Sequence, residues 1–410
     1  MFISKRVFAC LGYLCLWSSG AAAQLAINPN DSLTAARVVA LARVGAPEVL
    51  LAQTGVLEAR GRLAGARALM QENPAIEGVA NSDQEFERRT DLEVTVPIEF
   101  GLRRSRRVGI ARADLQREEY FVADAGRRAI GMALAAYYRV LHAERSVALA
   151  RERQALAEDL QRIAAERVRS GDAARLELNV AETELSRAES GVLSEEHQVA
   201  RARVELAVVL GLPSGTGLLV AGDLADRSVL ESMSIDTTAG RRADVLAAES
   251  ELKAAVAQGA LARTALLPEL SLRWNYGHEG GEAIQRHGWV LSVPLFNHGQ
   301  GERGQARARR ERARVELESR RAAASAEVEG ARAGYQAAVG AARQLQVRGI
   351  PRALETEAMA QESYRSGKMN LPGVLVVRRE ALETRREYLD RLLEAALSAI
   401  ELAVATGAAR

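Results

Sequence analysis

Two rhythms of apolar positions run along this chain. From Ile98 to Leu212 no proline occurs, and apolar residues recur at helical spacing, as at Leu149, Leu156, Leu160, Ile163 and Val168. The stretch is dense in Ala, Arg, Glu and Leu, which favour helix. The spacing predicts a helix over about 104–169, roughly 100 Å long at 1.5 Å per residue. Ser170-Gly171-Asp172 is a turn signal that ends it, and a second helix follows. Gln300 to Tyr364 repeats the pattern, broken only at Pro351. Rods of this length are not needed by a compact globule. They predict helices packed side by side as coiled coils.

The second rhythm is strict alternation. Leu92, Val94, Val96, Ile98 and Phe100 fall on one side of an extended segment, with Glu93, Thr95 and Glu99 on the other. Leu270, Leu272, Trp274 and Tyr276 alternate with Glu269, Ser271, Arg273 and Asn275, and Trp289, Leu291, Val293 and Leu295 form a further row. Segments of about ten residues, apolar out and polar in, are what a membrane β-barrel requires. Trp274 and Trp289 are candidate membrane-interface aromatics. Two such hairpins give four strands, about 74–100 and 268–296, too few to close a barrel alone. Three chains sharing one barrel would supply about twelve, an even number in the usual range.

The two rhythms recur. A shift of 196 residues lays Val49-Leu50 on Val245-Leu246, Ala66-Arg67 on Ala262-Arg263, Phe100 on Phe296, and Arg169-Ser170-Gly171 on Arg365-Ser366-Gly367. With a one-residue slip, Ala111-Arg112-Ala113 falls on Ala306-Arg307-Ala308. Colinear matches that include the helix break predict a tandem duplication. Each half reads helix, two strands, very long helix, turn, helix. The expected organisation is a first repeat over 24–210, a linker over 211–240, and a second repeat over 241–410.

The N-terminus changes the composition. Lys5 and Arg6 precede an apolar run from Val7 to Trp17, and Ala21-Ala22-Ala23 follows, so residues 1–23 read as a secretory signal. Both cysteines, Cys10 and Cys15, lie inside it, in no lipoprotein context. The mature chain is then free of thiols and of disulfides. Of 55 basic residues, losing Lys5 and Arg6 leaves 53 against 53 acidic ones. That balance excludes a strongly basic nucleic-acid binder. No other apolar stretch reaches the length of a membrane helix, so a membrane span must be built of strands.

At this point the chain resembles the TolC-type outer-membrane efflux channels over essentially the whole mature sequence. The resemblance rests on the duplicated plan, on Asn73-Pro74 and Leu267-Pro268-Glu269-Leu270 before the hairpins, and on Val293-Pro294-Leu295-Phe296-Asn297 after the second. The run from Pro294 to Gly301 is most similar to the outer-membrane factors of cobalt–zinc–cadmium-type metal efflux systems. It implies a mainly α fold with a small membrane β part: a homotrimer with an α-helical barrel and a 12-stranded β-barrel. It also implies a Gram-negative outer-membrane location, a periplasmic adaptor, an inner-membrane pump of the RND type, contact with outer-membrane lipid and no nucleic acid. The implied function is a passive conduit, here for heavy-metal cations, with drugs, small organics or type I secretion as alternatives.

The Arg-Ser-Gly turns match the family's periplasmic helix tips. The candidate gate and adaptor residues are therefore Arg169, Ser170, Gly171, Asp172, Glu177, Tyr364, Arg365, Ser366, Gly367 and Lys368. Asp172, Glu177, Arg175, Arg365 and Lys368 are candidates for a tip salt-bridge ring. The family prototype's gate-locking arginine falls on Met369, and its acidic pair on Gly373 and Val376, so that gate chemistry does not transfer wholesale. His278, His287 and His298, with Glu279 and Glu282, invite a metal reading. Their spacing matches no compact ligand motif, so His278 and His287 stay weak candidates and no cofactor is expected. No nucleophile–base pattern supports an enzyme. Gly299-Gln300-Gly301-Glu302-Arg303-Gly304 mimics a nucleotide loop but opens an Arg-rich helix, not a βαβ unit. A periplasmic adaptor would carry one helical hairpin and much more β structure. A structural coiled-coil envelope protein would leave the Trp-bearing strands unexplained.

Overall fold

The computed structural model describes residues 32–81, 89–99, 101–213, 217–226, 242–279 and 282–408. The predicted signal with its two cysteines, Phe100, and most of the predicted linker lie outside them.

Among the described residues, eight helices make up the fold: α1 (Ala35–Gly45), α2 (Pro47–Ala66), α3 (Arg103–Ser170), α4 (Arg175–Val209), α5 (Ala243–Ala262), α6 (Gln300–Gln344), α7 (Ile350–Arg365) and α8 (Leu371–Thr406). The strands are β1 (Ser32–Leu33), β2 (Ala75–Asn81), β3 (Arg89–Ile98), β4 (Leu219–Val220), β5 (Glu269–Glu279) and β6 (Glu282–Ser292). At 68 residues, α3 is about 100 Å long, as its sequence predicts. In the second half, a π-helical segment, Leu345–Gly349, separates α6 from α7 just before Pro351. A proline ring clashes with the carbonyl four residues back. That carbonyl belongs to Val347, inside the widened π turn.

The duplication is structural. A shift of 196 lays the ends of α2, Pro47 and Ala66, on the ends of α5, Ala243 and Ala262, and Arg175 at the start of α4 on Leu371 at the start of α8. Helix endings follow. Gly171, Gly211, Gly367 and Gly407 all have positive φ. In each, the glycine N–H bonds the carbonyl three residues back, and the next N–H bonds the one five back: Gly171 to Val168 and Asp172 to Arg167, Gly367 to Tyr364 and Lys368 to Ser363. This is the Schellman termination. Gly211 on Gly407 carries the repeat to the ends of α4 and α8.

Few bulky groups fill the interior, and alanine lines most helix contacts. The largest apolar cluster joins α1, α3, α4 and α8 around Tyr137, Tyr138, Leu134, Leu206 and Ile400. Tyr137 and Tyr138 donate to the carbonyls of Ala221 (2.8 Å) and Asp226 (2.9 Å), tying the 217–226 segment to α3. At the α3–α4 tip a separate cluster joins Leu160, Ala164, Ala181, Tyr364, Leu371 and Val374.

β2, β3, β5 and β6 form one antiparallel sheet in that order, so the two hairpins meet at β3–β5. β6 stops at Ser292. Val293 and Leu295, expected to continue its alternating row, lie beyond it in the connection to α6. Pro294 removes a ladder donor there, and the chain turns toward Gly299 and the start of α6.

Candidate functional site

Three regions carry the sequence-named residues: the sheet, its root and the helical tip. In the sheet, register settles which side each residue takes. Leu92 pairs with Tyr276, Val94 with Trp274, Leu272 with Trp289, and Trp274 with His287. Pairing keeps partners on one face. Among the described side chains of the four strands, all seven charged residues lie on the other face: Glu77, Asp91, Glu93, Glu269, Arg273, Glu282 and Arg286. There Arg273 pairs with Glu93 at 2.9 Å. The charge-free face stays open to its surroundings, with Ile76 70% and Trp289 68% exposed. One face suits hydrocarbon and the other water, and eleven-residue strands are long enough to cross a bilayer.

Trp274 and Trp289 share the charge-free face as diagonal neighbours. Trp274 stacks against Tyr276, centroids 6.3 Å apart, and Tyr276 meets His278 edge-on at 5.7 Å. His278 faces Ala283 across the ladder, four residues along β6 from His287. That is about 13 Å at strand rise, too far to share an ion. His298 lies beyond the sheet, and Arg303 donates to its Nδ1 at 3.1 Å.

At the root, the first turns of α3 grip the sheet. Arg103 binds Glu269 at 2.8 Å and the Thr264 carbonyl at 3.0 Å. Arg104 donates to the Arg67 carbonyl at 2.9 Å, and Arg107 pairs with Glu99. Arg106 reaches the Ala260 carbonyl at 2.5 Å. These arginines satisfy carbonyls at the ends of α2 and α5 and fix the strands to the rods.

At the tip, Gly171 and Gly367 take φ of +83° and +73°. The two turns bring α3, α4 and α7 together at Glu177. Tyr364, 2% exposed, donates its hydroxyl to Glu177 Oε1 at 2.9 Å. Arg167 pairs with the same oxygen at 3.0 Å and lies over the Tyr364 ring, 5.3 Å from its centroid. Burial, then the Glu177 carboxylate, pushes the Tyr364 hydroxyl up, so it remains a neutral donor. Glu177 sits in the first turn of α4, where the helix dipole favours a negative charge.

Within one chain the tip charges form a tight set. Glu177 and Tyr364 meet as named, with Arg167 as the cation. Arg175, Arg365 and Lys368 make no salt bridge among the described residues, and Asp172 accepts from Ser170 Oγ at 2.8 Å. Arg169 and Ser366 flank the two turns and stand outside the cluster. The Arg-Ser-Gly tripeptide marks Arg169, not Arg167, as the tip arginine. A signal existed. Arg167 is four residues before Gly171 and Glu177 three after Ala174, so a tight turn sets them at equal height. Met369 packs against the tip cluster, Gly373 N–H bonds the Asn370 cap at 3.0 Å, and Val376 is exposed.

A four-stranded sheet with one charge-free face, rooted on two long helical hairpins, defines a membrane-inserting protein with a helical extension. A model of the family described as "Outer membrane efflux protein" matches residues 80–212 and 234–408, and the chain belongs to that family. It is 26% identical over 313 residues to the nickel-cobalt-cadmium resistance protein NccC of Alcaligenes xylosoxydans xylosoxydans, a match covering 71% of this chain and 67% of that one. It is 26% identical over 254 residues to the pyoverdine export outer membrane protein OpmQ of Pseudomonas putida, covering 58% of this chain and about half, 52%, of that relative. Among solved structures, a CusC crystal structure superposes with a TM-score of 0.74, covering 91% of both chains at 20% identity. The fold is that of these channels, as the long rods and short hairpins predict.

Proposed function

We propose that this protein is the outer-membrane conduit of a tripartite efflux system and that its cargo is heavy-metal cations. The observation that carries the conduit is the one-sided distribution of charge in the sheet. Four strands with an open charge-free face need further strands to close. Three chains supply twelve, with Glu77, Glu93 and Arg273 lining a wet lumen and Trp274 and Trp289 in the lipid belt. The helical hairpins then extend the path through the periplasm. There they meet an adaptor and an RND-type inner-membrane pump, and the pump supplies the energy. A conduit of this kind needs no catalytic group.

Metal cargo is supported by the match to NccC, whose name states nickel, cobalt and cadmium resistance and whose alignment covers more of the chain than that to OpmQ. The OpmQ match favours a second reading, export of small organic chelators. Deleting the gene separates the two. Metal cargo predicts heightened sensitivity to nickel, cobalt or cadmium with chelator secretion unchanged. The second reading predicts the reverse. Membrane fractionation tests the conduit itself: an SDS-resistant trimer in the outer membrane is expected, and a soluble periplasmic monomer would sink it.

At the tip we assign the gate to the Tyr364–Glu177–Arg167 cluster, with the Gly171 and Gly367 turns as the adaptor-facing ends. Buried contact between the two hairpins is what supports it. When the hairpins separate, the cluster must open.

A further inference from the structure

Between α3, α4 and α8, above the tip, lies a cavity of about 470 Å³. That is the size of sites that take small organic ligands. Its walls are apolar at Leu149, Leu156, Leu160, Leu375 and Leu382. Its charge is unbalanced, with five arginines against three glutamates. Glu184 pairs with Arg153 at 2.6 Å and lies 3.9 Å from Arg187, and Glu195 lies 3.5 Å from Arg386.

Of the two remaining cations, Arg379 is exposed to water, whereas Arg378 lines the cavity and is 5% exposed. One of its N–H groups reaches the Leu156 carbonyl at 3.1 Å. Its Nε has no partner, and no carboxylate comes within salt-bridge distance among the described residues. Glu357 and Asp159 act on it only through space, and neither lines the cavity. A guanidinium withdrawn from water normally sits against a carboxylate or phosphate, because burial without a counter-charge is costly. Here no carboxylate closes onto the guanidinium, and a leucine-walled space lies beside it instead.

We propose that this cavity binds an amphiphilic organic anion, its carboxylate or phosphate head on Arg378 and its apolar chain along the leucines. Leu149 is 46 residues into α3, about 70 Å from the root of the sheet. An outer-membrane lipid cannot reach so far, so the occupant comes from the periplasmic side. The inference does not depend on which cargo the channel exports.

The test uses the full-length protein, assembled in amphipol to keep detergent out of the cavity, and titrates it calorimetrically with decanoate. Saturable binding near one per chain is expected, with decanol at least tenfold weaker. Arg378→Met removes the charge at similar volume and should weaken decanoate at least tenfold while the assembled protein stays intact. Leu382→Trp fills the cavity, keeps Arg378, and should abolish binding, which covers failure of the first variant to fold. Absence of saturable decanoate binding, equal affinity for decanol, or unchanged affinity in the variant that folds would each overturn the proposal.

Discussion

Tyr364 on α7 donates its hydroxyl to Glu177 on α4 across 2.9 Å, joining helices 187 residues apart in sequence. Both ends are constrained. The Tyr364 ring is packed under Arg167, and the carboxylate is held in the first turn of α4 and paired with that same arginine. The bond therefore reports the relative position of the two hairpins. The contact is made from one neutral donor, one anion and one cation.

Removing only the hydroxyl tests this contact. A hydrogen bond to a charged group contributes about 1.5–3 kcal/mol. Tyr364→Phe keeps the ring against Leu160 and Leu371 but loses that bond. Single-channel conductance in planar bilayers is expected to rise in Tyr364→Phe and further in Tyr364→Ala, which also loses the packing. Conductance equal to wild type in both variants removes Tyr364 from the gate.

The tip turns are sensitive to backbone, not to space. A Cβ added at Gly367 meets no atom within 4 Å, yet φ there is +73°. Gly367→Ala is therefore expected to cost about 1 kcal/mol through conformation alone. Gly367→Asn, which tolerates that conformation better, should cost less. Hydrogen exchange at the α7–α8 turn reads the difference. Equal protection in both variants would contradict the backbone account.

A buried arginine clasps the end of α8. Arg242, 4% exposed, pairs with Asp244 at 2.7 Å and Glu327 at 2.6 Å and donates to the Ala405 carbonyl at 3.2 Å. Arg242→Met strands Asp244 half-buried and is expected to destabilise by about 3 kcal/mol, read as a fall in melting temperature. The pair also predicts a pH response. Burial pushes the Asp244 carboxyl up, but the Arg242 guanidinium bonded to it outweighs this and holds it below the ordinary range. A depressed carboxylate contributes stability above its unfolded pKa, near 3.9, and that stability is lost as pH falls through the lower folded value. Acid should thus erode wild type below about pH 4 more steeply than Arg242→Met. Parallel acid curves would rule out the linkage.

The rods, the turns and the β3, β5 and β6 alternation were legible because each rests on local pattern. Proline-free periodicity marked α3 within a residue at either end, and Ser170-Gly171-Asp172 marked its close. Side-chain partnerships were less legible. Arg167 meets Glu177 only because the turn has one particular length, and Arg378 is left without a carboxylate only because three helices cross there. Among 55 basic residues, nothing local distinguishes a paired arginine from a stranded one. The end of β6 was overrun because Val293 and Leu295 keep the alternation after Pro294 has ended the ladder.

Register in the sheet leads to the sharpest test of how the protein meets the membrane. Leu272 and Ser271 are neighbours in β5, opposite Trp289 and Val290 respectively. A one-residue step moves a side chain to the other face. Leu272→Arg places a charge on the charge-free face, where it costs about 2–4 kcal/mol near the bilayer centre. Ser271→Arg places the same charge between Glu269 and Arg273 on the watery face, where the cost is small. Assembly into the outer membrane, followed as SDS-resistant trimer, is expected to fall sharply in Leu272→Arg and to persist in Ser271→Arg. Repeating the pair in β3 with Val94→Arg and Thr95→Arg guards against a purely local effect. Val94 pairs with Trp274 and Thr95 with Arg273, so the same contrast is required. Equal assembly within both pairs would mean that the charge-free face does not meet lipid, and the barrel would have to be abandoned.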